Sequence, residues 1–258
     1  MSEPQEQSRV AARPSRRFSS IAAMPNSFGR RFLLFALAIL ALLVAPSAAS
    51  PAALIVIYGA EGGTHMTLST KGDGLIVKGH MAKTEPKGCR FTVYRSVAVC
   101  NLARATAIEV KTGQSGDFVR VLDPLPAPLT IYMGAGSDKF YGNSEADTCY
   151  TQGSKKNRCV GGGGNDVCIT GQKNSDCIGN SGNDYCEHGA GSDGCWGGPG
   201  DDICKMGPGK DGCHGEGGND RLYGGEDGDQ LYGGPGWDYC NGEGGLDNTT
   251  GCEAGPKH

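Results

Sequence analysis

Along residues 133–250 one apolar position recurs with a fixed step. Phe140, Cys149, Cys159, Cys168, Cys177, Cys186, Cys195, Cys204, Cys213, Leu222, Leu231 and Cys240 follow one another nine or ten residues apart, with glycine, asparagine and aspartate filling the intervals. One inward side chain between two outward neighbours is the mark of a very short strand buried on one face. Upstream, ALIVIYG, HMTLST, GLIVKG, RFTVYRSVAVC, AIEVKT, FVRVLD and LTIYMG alternate apolar with other residues between Gly, Lys and Pro turns. These stretches predict β-strands. Because LTIYM runs directly into GAGSD, residues 50–132 are predicted to cap one end of the repeat array and shield its first coil.

The period becomes explicit when the chain is written in nines from Met133 with one extra residue at Thr151. Thirteen units fit; the sixth place is Asp in eleven, failing only at Asn157 and Ser175, and the fourth place is Gly in nine. A disordered Gly/Asp-rich linker would need no such phase.

This pattern resembles the GGxGxDxUx nonapeptide of RTX, or haemolysin-type calcium-binding, proteins. The resemblance implies an all-β chain, a right-handed parallel β-roll (β-solenoid) of about 13 nonapeptide repeats with an N-terminal β cap, and Ca2+ as the bound ion. The physics agrees. Glycines permit tight turns that expose carbonyls, and two nines make one coil, with strands eighteen residues apart stacking at about 4.8 Å. Asp184 then lies near Asp202 and Asp193 near Asp211, and such files of carboxylates call for a cation between them. Calcium accepts six to eight oxygens in loose geometry, whereas magnesium holds its water in a stricter octahedron. The candidate ligands are Asp138, Asp166, Asp184, Asp193, Asp202, Asp211, Asp220, Asp229, Asp238 and Asp247, with the turn glycines Gly182, Gly191, Gly200, Gly209, Gly218 and Gly236. The units around Asn157 and Ser175 are expected to bind weakly or not at all.

In the family pattern the eighth place is Leu, Val or Ile; here nine of thirteen are Cys. Twelve cysteines in an exported chain read as a disulfide framework. Cys89 and Cys100 are expected to pair, as are Cys240 and Cys252. For Cys149, Cys159, Cys168, Cys177, Cys186, Cys195, Cys204 and Cys213 two schemes stay open. Bridges within a sheet would join Cys159 to Cys177 and Cys186 to Cys204; bridges across the lumen would join Cys168 to Cys177 and Cys186 to Cys195. The second is favoured by the shorter Cβ separation a disulfide needs. A thiol store for soft metals is the rival reading, and it lacks zinc-type C-x₂₋₄-C spacing.

Charge divides the chain in the same way. Residues 133–250 hold 32 of the 44 glycines and 19 acidic against 8 basic side chains; residues 50–132 hold 9 basic and 6 acidic. The acidic half argues against nucleic acid as a partner. At the start, Arg30 and Arg31 precede the apolar run Phe32–Ala45 and the small residues PSAAS, the pattern of a secretory signal cut near Ala49. Fourteen apolar residues give a helix of about 21 Å, short of a bilayer core of roughly 30 Å, so no membrane span is expected after cleavage. Met24 is a plausible start, and both the general and the twin-arginine export routes stay open. The division is therefore residues 1–49 signal peptide, 50–132 capping region, 133–250 calcium-binding roll and 251–258 tail. Residues 50–132 are also similar to glycine-rich secreted calcium-binding proteins of actinobacteria, with Cys89 and Cys100 placed just ahead of the repeats.

No HExxH and no GxSxG occurs, and no apolar block outside the signal could form a pore. His188 and His214 are expected to face solvent in repeat turns. The expectation is an extracellular, non-catalytic calcium-binding module with a structural or adhesive role. Its partners would be calcium ions and a cell-surface or extracellular glycan or protein, with Trp196, Tyr223, Tyr232 and Trp237 as outward contact residues. The alternative is a small or non-catalytic member of an exported RTX-type hydrolase or toxin family.

Overall fold

A computed structural model describes residues 53–60, 62–81, 89–91, 97–103, 105–153 and 155–256. The expected signal, with Met24, Arg30, Arg31 and Phe32–Ala45, lies outside the described residues. Every element among them is a β-strand.

Two sheets carry the molecule. In the first, Ala53–Tyr58, Ala105–Lys111, Leu129–Met133, Asp147–Thr151, Val167–Ile169, Tyr185–Glu187, Ile203–Lys205, Arg221–Gly225 and Tyr239–Glu243 stack in that order, all parallel. The second stacks His65–Lys71, Phe118–Val121, Lys139–Tyr141, Asn157–Gly163, Ser175–Ser181, Gly194–Pro199, Gly212–Gly217, Gln230–Tyr232 and Asn248–Thr250 in parallel. The chain alternates between them, so successive coils build a parallel β-roll. Each of the thirteen nonapeptides closes on one strand, which begins at its sixth or seventh place, just past the turn.

Register follows the single inward position. Cys149, Cys168, Cys186, Cys204, Leu222 and Cys240 are directly paired along the first sheet. Val119, Phe140, Cys159, Cys177, Cys195, Cys213, Leu231 and Thr249 are paired along the second. A slip of one residue would turn every one of these outward. All are buried except Thr249, which is exposed on the last strand.

The upstream segment is more than a cap. Its strands Ala53–Tyr58, His65–Lys71, Ala105–Lys111 and Phe118–Val121 pair in parallel within the same two sheets, forming the roll's first coils with an aliphatic interior of Ile55, Ile57, Met66, Leu68, Ile108, Val110, Val119 and Val121. What differs from the nonapeptides is the ribbon Gly74–Gly79, Val97–Asn101 and Cys89–Phe91, which ends the second sheet in antiparallel pairs. Longer strands bury two or three side chains each, so these coils need less from disulfides than the repeats do.

Cys89–Cys100 and Cys240–Cys252 are joined as expected; along the lumen the bonds are Cys149–Cys159, Cys177–Cys186 and Cys195–Cys204. They cross the lumen, yet the expected partners Cys168–Cys177 and Cys186–Cys195 are not the ones joined, nor are the in-sheet pairs Cys159–Cys177 and Cys186–Cys204. Each inward cysteine of the array's middle has two neighbours on the opposite sheet, one before and one after it in the chain. Cα separations of 6.3 to 6.6 Å show that small sulfur side chains draw the sheets well inside the usual spacing of about 10 Å. Cys168 and Cys213 remain free thiols, both buried. Spacing alone gives no reason to prefer one neighbour.

Candidate metal centre

The sixth places gather into two files, one at each edge of the roll. Loops leading into the first sheet align Asp147, Asp166, Asp184, Asp202, Asp220 and Asp238. Within this file each Asp donates its backbone N–H to Oδ1 of the Asp one coil on, at 2.7 to 2.8 Å. Glu253 closes the file by accepting the Asp238 N–H at 2.8 Å. Loops leading into the second sheet align Asp117, Asp138, Asn157, Ser175, Asp193, Asp211, Asp229 and Asp247, and the same bond joins every step except Asn157 to Ser175. The two units without Asp, at Asn157 and Ser175, therefore fall on adjacent coils of the same edge. Asn157 keeps the file's hydrogen bond through Oδ1, but its other atom is a donor.

The second oxygen of each carboxylate is the informative one. Oδ2 of Asp117, Asp138, Asp166, Asp184, Asp193, Asp202, Asp211, Asp220, Asp229, Asp238 and Asp247 is buried without a hydrogen-bond partner. Buried acceptors in native proteins are nearly always satisfied, so a row of orphans points to a ligand. In Asp147 this atom instead accepts the Asn143 N–H at 3.1 Å.

In loops whose first place is glycine, the space beside this oxygen is open. A Cβ on Gly224 would lie 2.5 Å from Asp229 Oδ2 and 2.8 Å from the Gly242 carbonyl oxygen of the next coil. Gly179, Gly197, Gly215 and Gly233 repeat the arrangement, each against its own loop's Asp Oδ2 and the carbonyl of Gly197, Gly215, Gly233 and Gly251 respectively. An oxygen-lined hollow of that size suits calcium, whose bonds to oxygen run about 2.3–2.6 Å. The second residue of these loops is left-handed even where it is not glycine: Asn180, Glu216 and Glu243 have φ of 74°, 76° and 68°. Such strain costs of order 1–3 kcal/mol per residue and collects at ligand clamps.

Without a cation these carboxyls resist ionisation. Burial is the first cause and the adjoining carboxylates add to it, while the backbone N–H bonds oppose it. Asp166 is pushed up to about 8, Asp193 and Asp202 to about 7, and Asp138, Asp211, Asp220 and Asp229 to about 6. Asp184 and Asp238 move in the same direction. A divalent ion reverses this by stabilising the charged form.

A family model described as the RTX calcium-binding nonapeptide repeat matches residues 130–153 and 214–248, with four copies. Over those residues the chain is similar to RTX calcium-binding nonapeptide repeats. No curated protein matches it. The RTX match recognises four copies where the nine-residue phase gives thirteen. The unmatched middle, residues 154–213, is where every eighth place is cysteine, the feature by which this chain departs from the RTX pattern.

The structure places all ten predicted aspartates in the two files. The fourth-place glycines Gly182, Gly200, Gly209, Gly218 and Gly236 are left-handed, with φ of 129° to 155°, and shape the turns; Gly191 is outside that region. The carbonyls beside the orphan oxygens belong instead to first-place glycines, which sequence reasoning passed over. Asp117 was also missed, although TGQSGDFVR has Asp in the sixth place and buried Val119 in the eighth.

Two histidines differ from expectation. His188 is buried, with Nδ1 2.9 Å from Thr170 Oγ1, and burial lowers its pKa to about 4. His214 stands on a strand between Trp196 and Tyr232, ring centroids 5.9 and 4.7 Å away, in a nearly parallel stack on the outer face. Tyr223 meets Tyr239 in a tilted pair, and Trp237 is exposed. As for soft metals, Cys195, Cys204 and Cys213 bring three sulfurs within 4.8 Å of one another, but two of these are joined together, leaving a single thiol.

Proposed function

We propose that this chain is an exported, non-catalytic calcium-binding β-roll with a structural or adhesive role. The observation that carries the reading is the row of buried, unpartnered Asp Oδ2 atoms, with a glycine carbonyl of the next coil beside them at Asp184, Asp202, Asp220, Asp229 and Asp238. Only the folded coils gather these oxygens, so calcium binding and folding of the repeats are coupled. Residues that hold the ion are Asp166, Asp184, Asp202, Asp220, Asp229, Asp238 and Asp247 with the first-place carbonyls; the ion supplies positive charge between carboxylates. An oxidising compartment is supported by five disulfides and by the signal-like start. Extracellular calcium modules work at roughly 10⁻⁴–10⁻³ M, which sets the expected affinity.

Equilibrium dialysis of the oxidised chain against millimolar calcium, with magnesium as control, tests the reading. Uptake of calcium in preference to magnesium is expected, and no uptake overturns it. For the adhesive role the outward stack of Trp196, His214 and Tyr232 is the supporting feature, since aromatic side chains in a row supply contact area at low entropic cost. Calcium-dependent retention on cells or immobilised glycans, lost in Trp196→Ala, is the assay. Turnover of generic ester or peptide substrates by the purified chain would refute the non-catalytic reading.

A further inference from the structure

Resting on that calcium reading, a proposal follows from the loops' conformation: from Gly161 onward they divide into two classes. In the open class the first residue is glycine and the second is left-handed. It comprises the loops with Gly161–Gly162, Gly179–Asn180, Gly197–Gly198, Gly215–Glu216 and Gly233–Gly234 on the first edge, and Gly224–Gly225 and Gly242–Glu243 on the second. In most of them the preceding strand runs on through these residues, as in Asn157–Gly163, Ser175–Ser181, Gly194–Pro199, Gly212–Gly217, Arg221–Gly225 and Tyr239–Glu243.

The closed class occupies the middle of the second edge. There the first residue is Thr170, His188 or Met206, each buried, and the strands Val167–Ile169, Tyr185–Glu187 and Ile203–Lys205 stop just before it. The second residue is glycine in all three, at 171, 189 and 207, yet none is left-handed. Glycine is thus present where the open turn would need it, and the turn is still not made. The first-place side chains are used as interior instead: Thr170 Oγ1 bonds His188 Nδ1, and Met206 Sδ lies 3.5 Å from Cys204 Sγ.

Asp193 and Asp211 in these closed loops have buried, unpaired Oδ2 atoms like the others. What their loops lack is the first-place glycine and the left-handed turn that set a carbonyl oxygen opposite the carboxylate. A carboxylate alone falls far short of the six to eight oxygens calcium takes.

We propose that calcium fills this roll unevenly: the open loops bind it along the first edge from Gly161 onward and at the far end of the second, while the Thr170, His188 and Met206 loops bind none. Buried side chains at the first place replace the ion as the element that fixes the turn, so the cysteine-lined centre is held on one side by metal and on the other by packing.

The test is calcium stoichiometry by native mass spectrometry and equilibrium dialysis on the full oxidised chain. The wild type is expected to saturate at or below one ion per open loop, and saturation above that number overturns the proposal. Asp202→Asn and Asp220→Asn are expected to lower the count, whereas Asp193→Asn and Asp211→Asn leave it unchanged. Asn is a tolerated replacement in these files, since Asn157 accepts the Asp138 N–H through Oδ1 at 2.9 Å. Loss of an ion in Asp193→Asn or Asp211→Asn overturns the proposal even if a variant on the first edge misfolds. A wild type that binds no calcium refutes the function proposed above, a distinct outcome.

Discussion

Asp184 donates its backbone N–H to Oδ1 of Asp202 at 2.7 Å, so one carboxylate both fastens the coil before it and offers its other oxygen to an ion. The two roles can be separated. Asp202→Asn keeps an acceptor and removes the charge, whereas Asp202→Ala also strands a buried N–H, which costs about 1–3 kcal/mol. Without calcium, Asp202→Ala is expected to melt well below the wild type and Asp202→Asn close to it. With calcium, both lose the metal's stabilisation. Equal melting points for the two variants without calcium would contradict the division of labour.

Glycines of the repeat are not equivalent. A methyl group at Gly197 would enter the hollow between Asp202 Oδ2 and the Gly215 carbonyl, while one at Gly212 meets nothing within 4 Å. Gly197→Ala should weaken calcium binding at least tenfold, about 1.4 kcal/mol, and Gly212→Ala should leave it within error. Calcium titrations followed by calorimetry distinguish them.

Cys168 and Cys213 are buried thiols whose pKa burial pushes upward. The thiolate is the reactive form, so iodoacetamide is expected to label neither in the folded oxidised protein and both after denaturation without reductant. Peptide mapping of the labelled sites checks this. Labelling of Cys177 or Cys186 in their place would mean that the lumen bonds pair otherwise.

Chelation and reduction should act together. Each disulfide contributes typically 2–4 kcal/mol, and the roll's middle has few aliphatic side chains to replace that. Removing calcium alone is expected to loosen the repeats and reduction with chelation to unfold them, read by far-UV circular dichroism. The aliphatic coils around Ile55, Leu68 and Ile108 are expected to keep strand signal longest.

His188 gives a pH dependence of known sign. Its imidazole drops from the ordinary 6.5 to about 4 in the fold through burial, with Asp176 the charge opposing that shift. Between those values the unfolded chain binds a proton that the folded chain refuses, so this contribution is complete above pH 6.5 and is lost as pH falls towards 4. Between pH 7.5 and pH 5 the wild type should lose about 2 kcal/mol more stability than His188→Gln, measured by urea unfolding without calcium. The carboxylates titrate in both proteins and cancel in the difference.

The strands of the roll, their register and the two carboxylate files were legible because one fixed period carried three signals at once: glycine for the turn, aspartate for the edge, one small side chain for the interior. Asn157 and Ser175 stood out as breaks for the same reason. Their placement on adjacent coils of one edge was not readable from the period alone, since it depends on which units share a corner. The upstream coils were harder to see, because their strands hold two or three inward residues and the nine-residue phase dissolves into ordinary alternation, even though Asp117 keeps its place.

The repeating unit is written locally into the chain, since each nonapeptide contains its own turn, ligand and core position and needs no distant partner to declare them. Tertiary structure alone decided the choices between equivalent neighbours: which cysteine bonds across the lumen, whether the first-place side chain of a loop turns inward, and which carbonyl meets which carboxylate. Those choices rest on distances between coils eighteen residues apart, where packing of one layer on the next selects among states that the local chain leaves nearly equal in energy.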